Sequence, residues 1–461
     1  MSKQPHVLVI PYPAQGHVAP LLKLATKIAE HGIKVTFVNT EFIEAKVMAS
    51  IPEKAEGWSL IKFVSISDGI ERDDDRKDFD KTRNTMLRVM PGNLKDLIEK
   101  INQSSDCEQI TCVIADISVR WALEVAQNLG VSRAAFIPYG PENLALSFHV
   151  TKMIEDGILD SNGNPMNDGL ISISEGTLPW KRNEICWSCR GNEKMQKILF
   201  ESICAVVQFV NISNWVLSNS FYELDPSSCD LVPNILPIGP LLASNNSRHL
   251  AGSLRPEDST CLSWLDKQSI GSVIYVSLGS TATLNQQQFE ELALGLESSS
   301  QPFLWVVRSD LVDGSLTGFP DGFKERITGR GKIVEWAAQE KVLAHPSVAC
   351  FVSHCGWNST LEGLSMGVPF LFPFLCWPYF VDQNQNKNYI CEGWKIGLEF
   401  IRDENGIVTR HEIQTKVTKL LSDEGIKGKT LKLKDMARRS LVEGGSSFRN
   451  LERFIVEMTS S

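Results

Sequence analysis

Two groups of residues in this sequence have the types and spacing to do chemistry. The first joins His17, in Pro13-Ala14-Gln15-Gly16-His17, to Asp116, which closes an apolar run. An imidazole where a strand turns into a helix sits in a positive field that favours its uncharged form, and that form can accept a proton. A carboxylate reaching Nδ1–H fixes the tautomer and stabilises the imidazolium that forms. A lone histidine in such a place is more often structural. The second group is denser: Trp336-Ala337-Ala338-Gln339, His345-Pro346, and Ser353-His354-Cys355-Gly356-Trp357-Asn358-Ser359-Thr360-Leu361-Glu362-Gly363. Its parts suit a nucleotide diphosphate. A strand ends at Ser353, Gly356 allows a tight turn, and Asn358 and Ser359 open a helix. The N–H groups and partial positive charge of that helix face an anion. His354 is a further donor to phosphate, Glu362 can accept both hydroxyls of a ribose, and Trp336 offers a face to a base. Any one of these residues alone is better read as part of a capped helix with a core tryptophan.

The elements that must position these groups follow a strand–helix rhythm. Residues 6–12 read as a strand and 14–17 as a turn. Leu21, Leu24, Ala25 and Ile28 then mark one face of a helix with Pro20 in its first turn and Gly32 closing it. Strands at 34–39, 113–115, 134–137 and 216–220 continue the pattern. It starts afresh with a strand at 272–278 and a helix at 284–298, whose inner face is Phe289, Leu292, Ala293 and Leu296. Strands at 303–307, 332–335 and 348–353 follow, the last two separated by a short helix from Glu340, with another helix from about Asn358. Alternation of this kind predicts α/β structure with parallel sheets covered on both faces, and a ligand cleft at their carboxyl ends. Residues 242–259 have linker composition. The boundaries are therefore 1–241 for an N-terminal domain, 260–445 for a C-terminal domain and 446–461 for a last helix. That helix carries Leu451, Phe454, Ile455 and Met458 on one face.

The second group resembles the signature box of the plant secondary-product glycosyltransferases, UDP-dependent family-one enzymes acting on small molecules. The resemblance runs on through Gly367-Val368-Pro369 to Asp382-Gln383. It extends to Trp264-Leu265-Asp266, Val276-Ser277-Leu278-Gly279-Ser280, Asn219-Ser220-Phe221-Tyr222-Glu223-Leu224 and the N-terminal Pro11–His17 stretch. It implies the GT-B architecture, two facing Rossmann-like domains with the last helix crossing back to the first. By motif position, Trp336 stacks on uracil and Ala337 reads its edge. Gln339 and Glu362 hold the ribose; Ser280, His354, Asn358 and Ser359 hold the diphosphate; Trp357, Asp382 and Gln383 line the sugar. The terminal glutamine of the box and Trp357 go with glucose. His17 and Asp116 stand where the family has its catalytic His–Asp pair. The expected reaction is direct displacement on UDP-glucose, a donor substrate rather than a cofactor, giving a β-glucoside. The helix at Asn358 offsets the leaving charge, so no metal is required.

The remaining features bound this expectation. Of 461 residues, 43% are hydrophobic and 22% charged, and Lys+Arg 46 against Asp+Glu 55 gives a net charge of −9. That balance argues against nucleic acid and against a polybasic membrane surface as partners. No stretch approaches the ~18–20 apolar residues of a membrane span. No signal peptide is evident, and eleven scattered cysteines fit reduced thiols, so a cytoplasmic protein is expected; the family resemblance implies a monomer. Asp73-Asp74-Asp75 reads as a solvated charged loop rather than a metal motif. Segments 139–148 and 187–200, with Tyr379 and Phe380, are candidates to line the acceptor pocket for a flat phenolic, flavonoid or terpenoid hydroxyl compound; they suit ordinary packing equally well. One departure from the family stands out. Pro369-Phe370-Leu371-Phe372 is followed by the near-repeat Pro373-Phe374-Leu375-Cys376. Four extended residues would carry Asp382 and Gln383 ~13 Å along the chain unless they loop out. The alternative function is accordingly a catalytically impaired UDP-sugar-binding protein. A dinucleotide-dependent oxidoreductase ranks last, because no GxGxxG follows the first strand.

Overall fold

The structure, a computed structural model, describes residues 4–50, 59–71, 76, 78–103, 109–189, 191–243, 257–258, 260–280, 282–312, 318–372 and 382–460. The near-repeat at 373–376, Tyr379, Phe380 and the Asp73-Asp74-Asp75 run lie outside them. The chain forms two compact units. The first comprises Met1–Phe148, Ser202–Pro256 and Ser440–Ser461, and the second His149–Glu201 and Glu257–Arg439.

The first unit is built on seven strands: β1 (His6–Ile10), β2 (Lys34–Thr40), β3 (Ile61–Ile66), β4 (Cys112–Asp116), β5 (Ser132–Ile137), β6 (Trp215–Ser218) and β7 (Ile235–Pro237). They lie in the order β3-β2-β1-β4-β5-β6-β7, with every pairing parallel. β1 and β4 are buried along their whole length, as expected of strands covered on both faces. The order reverses between these two strands. Such a switch point leaves a crevice at the carboxyl ends, where ligands bind. The core of this unit joins Val7, Val9, Leu21, Leu24 and Phe37 to Leu451, Phe454, Ile455 and Met458 of the Ser446–Ser460 helix. Trp215 meets Phe454 edge-on at 5.4 Å and donates from Nε1 to Glu457 at 2.8 Å.

The second unit has six parallel strands: β8 (Val273–Ser277), β9 (Phe303–Val306), β10 (Gly331–Val334), β11 (Val348–Ser353), β12 (Phe370–Phe372) and β13 (Gly397–Glu399). Their order is β10-β9-β8-β11-β12-β13, so the switch point lies between β8 and β11. The expected inner face Phe289, Leu292, Ala293 and Leu296 is buried against Ile274, Phe303 and Trp305. Among the described residues no helix is long and apolar enough to cross a membrane.

Two local expectations are corrected. The first helix begins at Gln15, because Ala14 is extended (φ −139°, ψ 150°) and already accepts from His17 and Val18. His17 is thus in the helix's first turn, and Pro20 lies inside the helix rather than in that turn. The other concerns residues 149–201, assigned by the 1–241 boundary to the first domain but found in the second unit. Polar contacts hold them there. Lys181 Nζ lies 2.9 Å from Glu392 Oε1, Gln385 donates to the Leu178 carbonyl at 3.1 Å, and Lys387 lies 3.2 Å from Glu184. Lys387 is 1% exposed and also reaches Glu399 at 3.2 Å, so each carboxylate compensates a buried cation.

Candidate active site

In the first unit, the helix that follows β1 carries His17 in its first turn, and β4, the neighbour of β1 at the switch point, ends on Asp116. His17 Nδ1 lies 2.7 Å from Asp116 Oδ2. Asp116 has no exposed surface, whereas the His17 side chain is 27% exposed. The second carboxylate oxygen, Oδ1, accepts from the Ser118 N–H at 2.8 Å, so the group is held at both ends. A carboxylate only accepts, so Nδ1 carries the ring proton and Nε2 is left with its lone pair. The Tyr12 ring meets His17 edge-on at 5.1 Å. Burial, and next the Asp116 charge, push the Tyr12 hydroxyl pKa up, so it stays protonated.

In the second unit, three of the expected residues form one cluster. Gln339 opens the Gln339–Leu343 helix; its Nε2 donates to Ser359 Oγ and Glu362 Oε2, both at 2.8 Å, and its Oε1 accepts from Tyr275 at 3.3 Å. Ser359 and Glu362 meet it together because residues three apart share a helix face. The Ser359 hydroxyl, expected at a diphosphate, is therefore engaged with Gln339. Trp336 is half-buried, its carbonyl accepting from the Asp258 N–H at 3.0 Å, and Ala337 beside it is buried.

The turn after β11 carries the tightest geometry. Cys355 adopts a left-handed backbone (φ 57°), and Gly356 precedes the Trp357–Met366 helix with no side chain to cap it. The His354 ring is pressed between two glycines. A Cβ on Gly279 would come 2.4 Å from His354 Nε2, and one on Gly356 would come 2.5 Å from it. Burial, then the Arg308 charge, push the His354 pKa down to about 4 against a backbone hydrogen bond at Ser277. Ser280 follows Gly279 and is half-exposed, as is Asn358. Trp357, expected at a sugar, is 4% exposed and packs inside the unit. Asp382 stands just before the Gln383–Asn388 helix. Its Oδ2 accepts from Asn386 at 3.0 Å, and the same amide donates to the Cys355 carbonyl at 2.9 Å. One side chain thus links Asp382 to the turn that begins the Trp357–Met366 helix.

Two of these residues escaped the sequence reading. Asn386 lies in a polar helix with nothing to mark it. Arg308 had a signal: a charged residue directly after the apolar run 303–307, where a core strand ends. It is 2% exposed; its guanidinium donates to the carbonyls of Gly279 and Ala282 and pairs with Asp310 at 2.9 Å, clipping the loop that carries Ser280. The acceptor candidates fared differently. Trp187 is fully buried in the second unit, donating to the Gly163 carbonyl at 2.8 Å and meeting Phe200 at 5.2 Å. Segment 187–200 is in this respect packing.

Comparison with known proteins gives the family of the chain. Residues 5–443 match the model of the family described as UDP-glucoronosyl and UDP-glucosyl transferase. The chain is 40% identical to UDP-glycosyltransferase 83A1 of Arabidopsis thaliana, over 98% of this chain and 96% of that one. Among solved structures it resembles a UDP-glucosyltransferase from Polygonum tinctorium capable of glucosylating indoxyl, in complex with 3,4-dichloroaniline (27% identity, TM-score 0.83, all of both chains). It also resembles Os79 from O. sativa in complex with UDP (26% identity, TM-score 0.82, 98% of this chain and 100% of that one).

Proposed function

Because this chain belongs to the UDP-glucoronosyl and UDP-glucosyl transferase family, we propose that it moves glucose from UDP-glucose to a hydroxyl of a small plant secondary metabolite. The family and the GT-B fold carry the reaction class, glycosyl transfer from a UDP-sugar. The sugar, the acceptor type (phenolic, flavonoid or terpenoid) and the residue roles are what we add. The acceptor oxygen attacks the anomeric carbon as His17 Nε2 takes its proton. The bond from that carbon to UDP breaks on the opposite face, which inverts the configuration. Asp116 keeps the ring in the accepting tautomer and stabilises the imidazolium. Trp336 and Ala337 hold uracil, and Gln339 and Glu362 the ribose. Ser280, His354, Asn358 and Ser359 take the diphosphate at the helix N-terminus, whose positive end offsets the leaving charge without a metal. Asp382 and Gln383 are assigned to the sugar; the buried Trp357 side chain is not. We read the enzyme as a cytoplasmic monomer.

The observation that carries this reading is the 2.7 Å hydrogen bond from His17 to a fully buried Asp116 at the switch point of the first sheet. The bridge from Asp382 through Asn386 to Cys355 supports a sugar end kept in register over an impaired binder. The named activity of the Polygonum tinctorium protein supports glucose and a small aromatic acceptor. Titrating the purified protein with UDP-glucose, UDP-galactose, UDP-glucuronate and UDP tests the donor. UDP-glucose should bind most tightly. Equal binding of all four would overturn the glucose assignment and favour the impaired binder.

A further inference from the structure

The short helix Gln383–Asn388 buries four polar side chains in succession: Gln385, Asn386, Lys387 and Asn388 are each at most 1% exposed. Burying so many polar groups is unfavourable unless fixed partners meet them. Their partners come from separate parts of the second unit. Gln385 Nε2 donates to the Leu178 carbonyl at 3.1 Å, and Asn386 Nδ2 to the Cys355 carbonyl at 2.9 Å. Lys387 Nζ lies 3.2 Å from both carboxylate oxygens of Glu184 and 3.2 Å from Glu399, which ends β13. Asn388 Nδ2 donates to Glu184 at 3.0 Å and to Gln385 Oε1 at 3.3 Å. Glu184 thus gathers a buried cation and a buried amide from the end of the helix, with Lys181 Nζ 3.9 Å away. At the other end, Asn386 also donates to Asp382 at 3.0 Å.

A buried ion pair adds little stability over apolar residues of similar volume, but hydrogen bonds are directional. Bonds at both ends fix where this helix sits and how it is turned about its axis, which apolar packing alone would do less sharply. We propose that Glu184 is a positioning residue for the donor sugar. Through Lys387 and Asn388 it seats the Gln383–Asn388 helix, and with it Asp382 and Gln383, so selection among UDP-sugars depends on the segment around Leu178 and Glu184. That segment lies 203 positions earlier in the chain than the lysine it holds. The inference rests on the assignment of Asp382 and Gln383 to the sugar and adds a residue that acts through them.

The test titrates the full-length protein by calorimetry with UDP, UDP-glucose and UDP-galactose, whose sugars differ only in configuration at one carbon. The unmodified protein should prefer UDP-glucose. Glu184→Ala should cut the ratio of the two sugar-nucleotide affinities by roughly tenfold while UDP affinity stays the same. Glu184→Gln, which still offers an acceptor to Asn388, should keep part of the preference. A variant that merely folds less well loses binding of all three together, so the ratio reports positioning. Arg182→Ala, which breaks a solvent-exposed pair with Asp168 beside Glu184 in the chain, should leave the ratio intact. If Glu184→Ala binds no UDP, Glu184→Gln decides. A full preference in the deciding variant, or an equal loss in Arg182→Ala, overturns the positioning role. Equal binding of both sugar nucleotides by the unmodified protein overturns the sugar assignment and the inference with it. Failure of the unmodified protein to bind UDP overturns the glycosyl-transfer reading itself.

Discussion

The division of labour between the two ring nitrogens of His17 decides what each substitution does. His17→Ala removes the proposed base and should lower kcat by roughly 10²–10⁴-fold. UDP affinity should stay the same, because the residues we assign to the donor lie in the other unit. Asp116→Asn should cost a comparable factor, since an amide can donate to Nδ1 and so move the ring proton to Nε2. Initial rates beside a UDP titration check both, and unaltered turnover in His17→Ala would remove the base assignment. Two other histidines contribute to the acid behaviour. His6, whose Nε2 pairs with Thr36 Oγ1 at 2.9 Å, has its pKa pushed down to about 4 by burial, then by Lys34 and Lys62; His354 is depressed to about the same value. The unfolded chain binds these protons near pH 6.5, the folded chain only near 4. Stability should therefore fall as pH drops from about 6.5 to 4, and His6→Gln should flatten the slope in thermal melts.

At the scale of elements, the loop after β8 and the turn after β11 depend on each other through the His354 ring. Gly279→Ala places a Cβ against that ring and also forces a side chain to φ +73°. Gly32 has a similar φ of +77° with open space around it, so Gly32→Ala isolates the backbone penalty, about 1–2 kcal/mol. Both variants should melt lower, but only Gly279→Ala should weaken UDP binding, by roughly tenfold, in calorimetry. Equal UDP affinity in the two would mean that the loop does not depend on the ring. The same elements show what the sequence made legible. Strands such as β1, β4, β8 and β11 were readable as apolar runs. The 336–363 box was readable because its residues sit within one short stretch. Arg308, Asn386 and Tyr275 act across the fold, and no local pattern announces a hydrogen bond to a distant carbonyl or amide. Trp187 was left open between pocket and packing for another reason: an aromatic side chain has the same sequence signature in a core as in a pocket.

On the scale of the whole molecule, the chain passes between its two units four times, at residues 148–149, 201–202, 256–257 and 439–440. Cutting at the linker does not yield two domains. A fragment spanning 257–439 lacks Leu178 and Glu184, one of the two carboxylates that lie 3.2 Å from the buried Lys387. Its second unit should lose about 3 kcal/mol or more relative to the intact chain. Chemical denaturation should show that loss, and supplying residues 149–201 on the same chain should recover it. An equal midpoint would make those polar ties dispensable. Order of synthesis gives the return of the Ser446–Ser460 helix a further meaning. Domains usually fold one after another as they leave the ribosome, the earlier before the later. Here the unit begun first is finished last, since Val7 and Val9 share a core with Leu451, Phe454, Ile455 and Met458. A nascent chain released by a premature stop before residue 446 would carry a second unit with all its segments beside a first unit whose apolar floor was never covered, a product for chaperones and proteases rather than a weakened enzyme.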